Sequence, residues 1–94
     1  MLVRSNRAGV FIGFLKEKSY QPQGTVIVLK NSRNIYYWDG SAGISQIAEK
    51  GVSKPENCKI TIPVKEREIS EIIEIIPVSV TAKINLDKIQ SWQK

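Results

Sequence analysis

Arg33-Asn34-Ile35-Tyr36-Tyr37-Trp38-Asp39-Gly40 decides how this chain is read. The block sets three of the seven aromatic residues side by side. It closes on Asp-Gly, a strong turn signal. A β-rich segment precedes it and the first helical pattern follows it. If the block is a strand, alternation divides it: Asn34, Tyr36 and Trp38 share one face, and Arg33, Ile35 and Tyr37 share the other. One aromatic face then enters the core and the other is free to meet a ligand or a subunit.

Working back toward the N-terminus, Thr25–Lys30 is rich in β-branched residues and reads as a strand. Asn31-Ser32 reads as a bulge or a tight turn, so Arg33–Trp38 either continues that strand or pairs back on it. Ser19–Gly24 is a turn punctuated by Pro22 and Gly24. Val10–Lys18 is a strand, apolar on both faces at its start, which suits a central position. Gly13 interrupts it and marks a bulge or a close backbone approach. Leu2–Arg4 is a short first strand, and Ser5–Gly9 is a small polar turn edged by Arg4 and Arg7, with Gly9 free to take positive φ.

Working forward, Asp39-Gly40-Ser41 turns the chain and Ser41 is a candidate N-cap. Ala42–Lys50 reads as a short helix whose apolar stripe is Ile44, Ile47 and Ala48. Gly51 is its natural stop. Val52–Cys58 is a loop. Lys59–Val64 alternates like a short edge strand, with Pro63 against a central place. Lys65–Glu68 reads as a solvated turn. Ile69–Ile76 fits both a helical stripe and a strand, and its density of isoleucine favours the strand. Val78–Ile89 fits a helix capped by Ser79 or Thr81, or an alternating strand. Trp92, so near the last residue, docks on the chain's own core or on a neighbouring subunit. These elements predict an α+β domain over residues 1–94: a small, strongly twisted antiparallel sheet or partial β-barrel with one or two short helices.

Ninety-four residues support one domain with a thin core, so a homo-oligomer would bury more apolar surface. There is one cysteine, Cys58, and no histidine. An intramolecular disulfide, a histidine-bearing zinc site and histidine acid–base chemistry are thereby removed. No Walker loop, dinucleotide fingerprint or cysteine pair is present. Glu71 and Glu74 read as solvated or paired groups. No enzyme activity and no cofactor are expected. No apolar run approaches the roughly 20 residues of a membrane span, and Met1–Arg7 has no signal-peptide character, so a cytoplasmic protein without membrane contact is expected.

The net charge is +5, and it is placed unevenly. Residues 1–38 carry six Lys/Arg against Glu17 alone, whereas residues 39–94 carry eight against eight. The basic half therefore ends in the aromatic block, a combination that suits an anionic partner. Aromatic faces stack on bases and arginines hold phosphates. On this reading Tyr36 and Trp38 stack, while Arg4, Arg7 and Arg33 pair with phosphates around the Gly9 turn. Ser45 and Gln46, at the helix start, bond base edges or phosphate. An ordinary strand–helix connection with a core-facing aromatic block is the plainer alternative.

The chain also resembles a family of small bacteriophage proteins of uncharacterised function. The residues that carry the resemblance are Ala8-Gly9-Val10-Phe11 with Gly13, Val28-Leu29-Lys30-Asn31 with Arg33, and Ile35-Tyr36-Tyr37-Trp38-Asp39-Gly40. It continues through Ile44-Ser45-Gln46-Ile47-Ala48, Gly51-Val52, Pro55-Glu56-Asn57-Cys58 and Ile73-Glu74-Ile75. It departs in the tail, where Trp92 stands in a more polar run. The resemblance implies a phage origin and action in the host cytoplasm. Small phage proteins without catalytic residues resemble counter-defence factors, among them oligomeric sponges that sequester cyclic-oligonucleotide immune signals. The expectation is thus a non-enzymatic homo-oligomer that holds an anionic nucleotide between subunits. The alternatives are a protein–protein module that inhibits a host defence enzyme and a weak nucleic-acid-binding accessory protein.

Overall fold

A computed structural model describes residues 1–22 and 24–94. Its elements follow as β1 (Leu2–Ser5), β2 (Gly9–Gln21), β3 (Gly24–Tyr37), α1 (Ile44–Lys50), β4 (Lys59–Ile60), β5 (Val64–Ile76) and α2 (Val80–Asp87). A 3-10 turn at Pro55–Asn57 leads into β4. All pairings are antiparallel. β1 bonds to both β2 and β5, and β3 bonds to both as well, so the four strands run round a ring. β4 is a short addition to the far end of β3. This is the expected α+β architecture, a twisted antiparallel sheet with two short helices.

The aromatic block continues the third strand. At Ile12↔Arg33 and Phe14↔Lys30 the register shifts by one, which leaves an extra residue on β3. Asn31 absorbs it with φ +50°, a left-handed conformation that asparagine tolerates better than most residues. Gly13 lies opposite. A Cβ there would sit 2.9 Å from Ser32 Cβ and 3.0 Å from Ser32 Cα, so the glycine permits a close approach of two backbones. Ser32 is fully buried at this crossing, and its hydroxyl has no hydrogen-bond partner among the described residues.

Several boundaries differ from the sequence reading. Ser19, Tyr20 and Gln21 extend β2 instead of opening a turn, because they pair with Val26, Thr25 and Gly24; Gln23 of the expected turn lies outside the described residues. Lys65–Glu68 is strand, not a turn, since its residues pair with β3 from Lys30 to Val28. Cross-strand bonding there outweighs the local polarity. Residues Val64–Ile69 make those ladder bonds on the β3 side, and β1 joins β5 only from Ile72 onward. The edge strand expected over Lys59–Val64 shrinks to Lys59–Ile60. Ser41 does not cap α1. Gly43 holds the N-cap position, and the Ser41 hydroxyl donates to the Gly43 carbonyl at 3.0 Å. Ile69–Ile76 is strand as read, and α2 resolves the second ambiguous stretch as helix. Its cap is Ser79, whose Oγ accepts from Ala82 N at 3.0 Å.

Alternation along the ring strands builds two cores. Val3, Phe11, Ile27, Leu29 and Ile69 pack inside the ring. Leu2, Val10, Ile35 and Ile60 face the other way and meet Ile47, Ala48, Val52, Cys58, Leu86 and Ile89 of the helical layer. Fully burying one such aliphatic side chain is worth about 1.5–3 kcal/mol. The helices are tied to one another by polar contacts. Ser79 N donates to Ala48 O at 2.9 Å, and the Asn85 amide both accepts from Val52 N at 2.8 Å and donates to Val52 O at 2.9 Å.

Candidate functional site

The turn after the aromatic block is fixed first. Gly40 takes φ +81°, and a Cβ there would lie 2.5 Å from Ser53 Oγ. Ser53 N donates to Gly40 O at 3.0 Å, and Asp39 N donates to Cys58 Sγ at 3.4 Å. These bonds hold the end of β3 against the loop that leads to β4. The pairing Ile35↔Ile60 and Tyr37↔Lys59 then advances two residues on β3 for one on β4. That is a bulge at the aromatic residues, and it breaks the strict alternation expected of them. Ile35 is buried, while Tyr36 and Tyr37 are both exposed, at 66% and 52%. Trp38 is only half-buried and packs against the core beneath the helices.

Tyr36 finds its partner in the tail. Its ring stacks on Trp92 with centroids 5.3 Å apart and planes inclined by 17°. Trp92 N donates to Ile60 O at 2.8 Å, so the tail is bonded to the far edge of β4. Lys59 Nζ lies 5.3 Å and Lys94 Nζ 5.9 Å from the Trp92 ring centroid. Behind the indole runs a groove of about 420 Å³, with Cys58 and Ile89 among its apolar walls and Lys88 and Gln90 among its polar ones. Two stacked rings, two ammonium groups and an adjoining groove therefore share one surface. Such a surface can continue a stack onto a planar base and neutralise a phosphate beside it.

Of the residues singled out from sequence, this surface keeps Tyr36. Arg33 is placed elsewhere. Its Nε donates to Thr61 O at 2.9 Å, Nη1 to Leu86 O at 3.3 Å, and Nη2 to Ile89 O at 2.9 Å. A longer contact of 3.5 Å joins Nη2 to Ile60 O. The guanidinium thus closes the C-terminal end of α2 and the end of β4 instead of facing a phosphate. Burial pulls its pKa below the usual value and Asp87 pushes it back; arginine remains charged. Trp38 is a packing residue here. Arg4 pairs with Glu74 at 3.6 Å and Arg7 with Glu71 at 3.4 Å, so both are turned toward β5. Gly9 opens β2 with φ +107°, and a Cβ there would lie 3.8 Å from Asn34 Nδ2. Ser45 and Gln46 are exposed on α1, where Gln46 Oε1 accepts from Ala42 N at 3.2 Å.

Lys59 and Lys94 were not legible as site residues. Nothing local marks Lys59; it reaches the aromatic pair through the β3–β4 ladder, which joins positions 37 and 59. Trp92 carried a signal, an aromatic residue that must dock somewhere, but not its partner.

The fold and this surface define a small antiparallel-sheet domain with a helical layer and an aromatic, basic face. The chain belongs to the family described as "Domain of unknown function (DUF6948)", whose model matches residues 1–86. Tyr36 and Lys59 lie within the matched residues, and Trp92 and Lys94 lie beyond them. Comparison with curated proteins and with solved structures finds no match to the chain.

Proposed function

We propose that this protein is a non-enzymatic binding module that takes up an anionic nucleotide of the cyclic-oligonucleotide kind and withholds it, as a phage counter-defence protein in the host cytoplasm would. The observation that carries the reading is the Tyr36–Trp92 stack with Lys59 and Lys94 held over the indole. The stack sets the ring spacing that a base would continue. The ammonium groups stand within a side chain's movement of a phosphate attached to that base. The uneven distribution of charge in the sequence and the resemblance to small phage proteins support the biological side of the reading.

Isothermal calorimetry against cyclic di- and trinucleotides tests it. Wild-type protein should release or absorb heat with at least one member. Tyr36→Ala should weaken that affinity roughly ten- to a hundredfold, the usual worth of one base–aromatic stack. Lys59→Glu should weaken it further and flatten its dependence on salt. No heat with any member, at concentrations well above micromolar, sinks the reading.

A further inference from the structure

The surface of α2 that faces away from the helical layer carries four residues in one contiguous stripe. Val80 and Ile84 stand one turn apart, as do Lys83 and Asp87. Ala82 and Leu86 occupy the opposite, buried side. Val80 is 76% and Ile84 53% exposed, and neighbouring Phe14 on β2 is 56% exposed. Lys83 links helix and strand, because its Nζ lies 5.4 Å from the Phe14 ring centroid. A trough of about 230 Å³, with Ile12, Phe14 and Val78 among its walls, opens beside the stripe and has Lys83 and Asp87 at its polar edge.

The charges on this stripe serve the isolated helix poorly. Lys83 bonds Asp87 at 2.5 Å with both side chains half-exposed. The base is on the N-terminal side and the acid in the last turn, opposite to the order that the helix dipole favours. Asp87 does lie in the field of Arg33, which offsets part of that cost. A cation and an anion one turn apart on the same helix face are, in either order, self-complementary. When two copies of such a stripe meet antiparallel about a two-fold axis, the cation of each approaches the anion of the other, with Ile84 beside the axis and Val80 at the flank. An isologous contact needs this kind of patch, one that matches itself.

We propose that α2, through Val80, Lys83, Ile84 and Asp87 with Phe14 alongside, docks on the same surface of a second copy to form a two-fold homodimer. The contact buries three large apolar side chains that each chain leaves in water. In it Lys83 exchanges its own carboxylate for Asp87 of the second copy. The proposal is independent of the nucleotide reading: the mass of the protein decides it, and the heat of ligand binding does not enter.

Sedimentation equilibrium over a wide concentration range reads the outcome. The chain has a mass of 10.6 kDa, and wild type should approach twice that value as concentration rises. Ile84→Glu should remain at the mass of one chain with an unchanged circular dichroism spectrum. Lys83→Glu and Asp87→Lys should each be monomeric alone, through like charges across the axis, and should form a dimer when mixed in equal amounts. Recovery on mixing would not arise from a surface made for an unrelated protein. If Asp87→Lys does not fold beside Arg33, the wild-type series and Ile84→Glu decide. Wild type that stays monomeric at near-millimolar concentration overturns the proposal. So does a dimer that survives Ile84→Glu.

Discussion

Inside the ring the core is Val3, Phe11, Ile27, Leu29 and Ile69; beneath the helices it is built on Leu2, Ile35, Ile47, Ile60 and Leu86. The adjacent residues Leu2 and Val3 supply one to each. Both regions are bordered by an arginine, yet the two arginines act differently. Arg67 lies over the Phe11 ring, its guanidinium carbon 4.8 Å from the centroid, and covers an apolar cluster already closed by strand pairing. Arg33 donates to the carbonyls of Thr61, Leu86 and Ile89, which no ladder serves. The ring is held by a periodic backbone ladder. The helical layer is held on it by apolar contact and by Arg33, while Asn85 and Ser79 join the parts of that layer to one another. Regular pairing tolerates the loss of one side-chain bond better than an assembly of separate polar links does.

The strongest test of this contrast removes aliphatic volume from each region. Ile27→Ala and Ile47→Ala both replace fully buried isoleucines and should each cost about 2–5 kcal/mol in urea unfolding. Ile27→Ala should lower protection from hydrogen exchange throughout the ring, whereas Ile47→Ala should lower it first in α1 and α2. Equal loss everywhere in both variants would merge the two regions into one cooperative unit. Next comes Arg33→Met, which keeps most of the side-chain volume and removes the guanidinium from the carbonyls of Thr61 and Ile89, and from that of Leu86, which still accepts from Ile89 N at 3.1 Å. It should cost about 2–3 kcal/mol, in the range for leaving buried acceptors unpaired. The amides of residues 83–89 should exchange faster while those of residues 27–29 do not.

The smallest effect belongs to the ring's outer surface, where Lys16 bonds Glu66 at 2.5 Å across β3. Glu66 is held below its usual pKa first by that hydrogen bond and then by the charge of Lys16, and Lys16 is raised by the same contacts. A carboxylate with a depressed folded-state pKa adds stability above its unfolded pKa and loses it as pH falls through the folded value. A lysine with a raised pKa adds stability below its unfolded value and loses it as pH rises through the folded one. Glu66→Gln should therefore lower the Tm slightly near neutral pH, and the difference should close below the ordinary glutamate pKa of 4.5. Both groups are exposed, so a large neutral-pH loss would mean that the pair does more than a surface ion pair usually does.

How much of this was legible in the sequence depends on the range of the forces involved. β-Branched runs and alternation were enough to place β2, β3 and the isoleucine-rich part of β5, and Gly13 announced a close approach. The strand character of Lys65–Glu68 was hidden, because bonding to β3 decides it and the local composition points to a turn. Strict alternation in the aromatic block predicts Tyr36 and Trp38 on one face and Tyr37 on the other. One bulge opposite Lys59 undid that reading, exposed Tyr36 and Tyr37 together and sent Trp38 toward the core. Arg33 looked like a phosphate ligand beside three aromatics. Its acceptors at positions 61, 86 and 89 are too distant in the chain for any local pattern to name. The candidate site was legible only through Tyr36 and the expectation that Trp92 would dock.

One feature of β5 bears on what happens when many copies crowd together. Lys65, Glu66, Arg67 and Glu68 alternate in charge along an edge that β1 does not cover. In a strand, residues two apart share a face, so the cations fall on one side and the anions on the other. Should this edge bond antiparallel to the same edge of another copy, every opposed pair would share a side and therefore a sign. Cation would meet cation and carboxylate would meet carboxylate, each opposition unfavourable. The alternation thus guards an open edge against fibre-like stacking with its own kind.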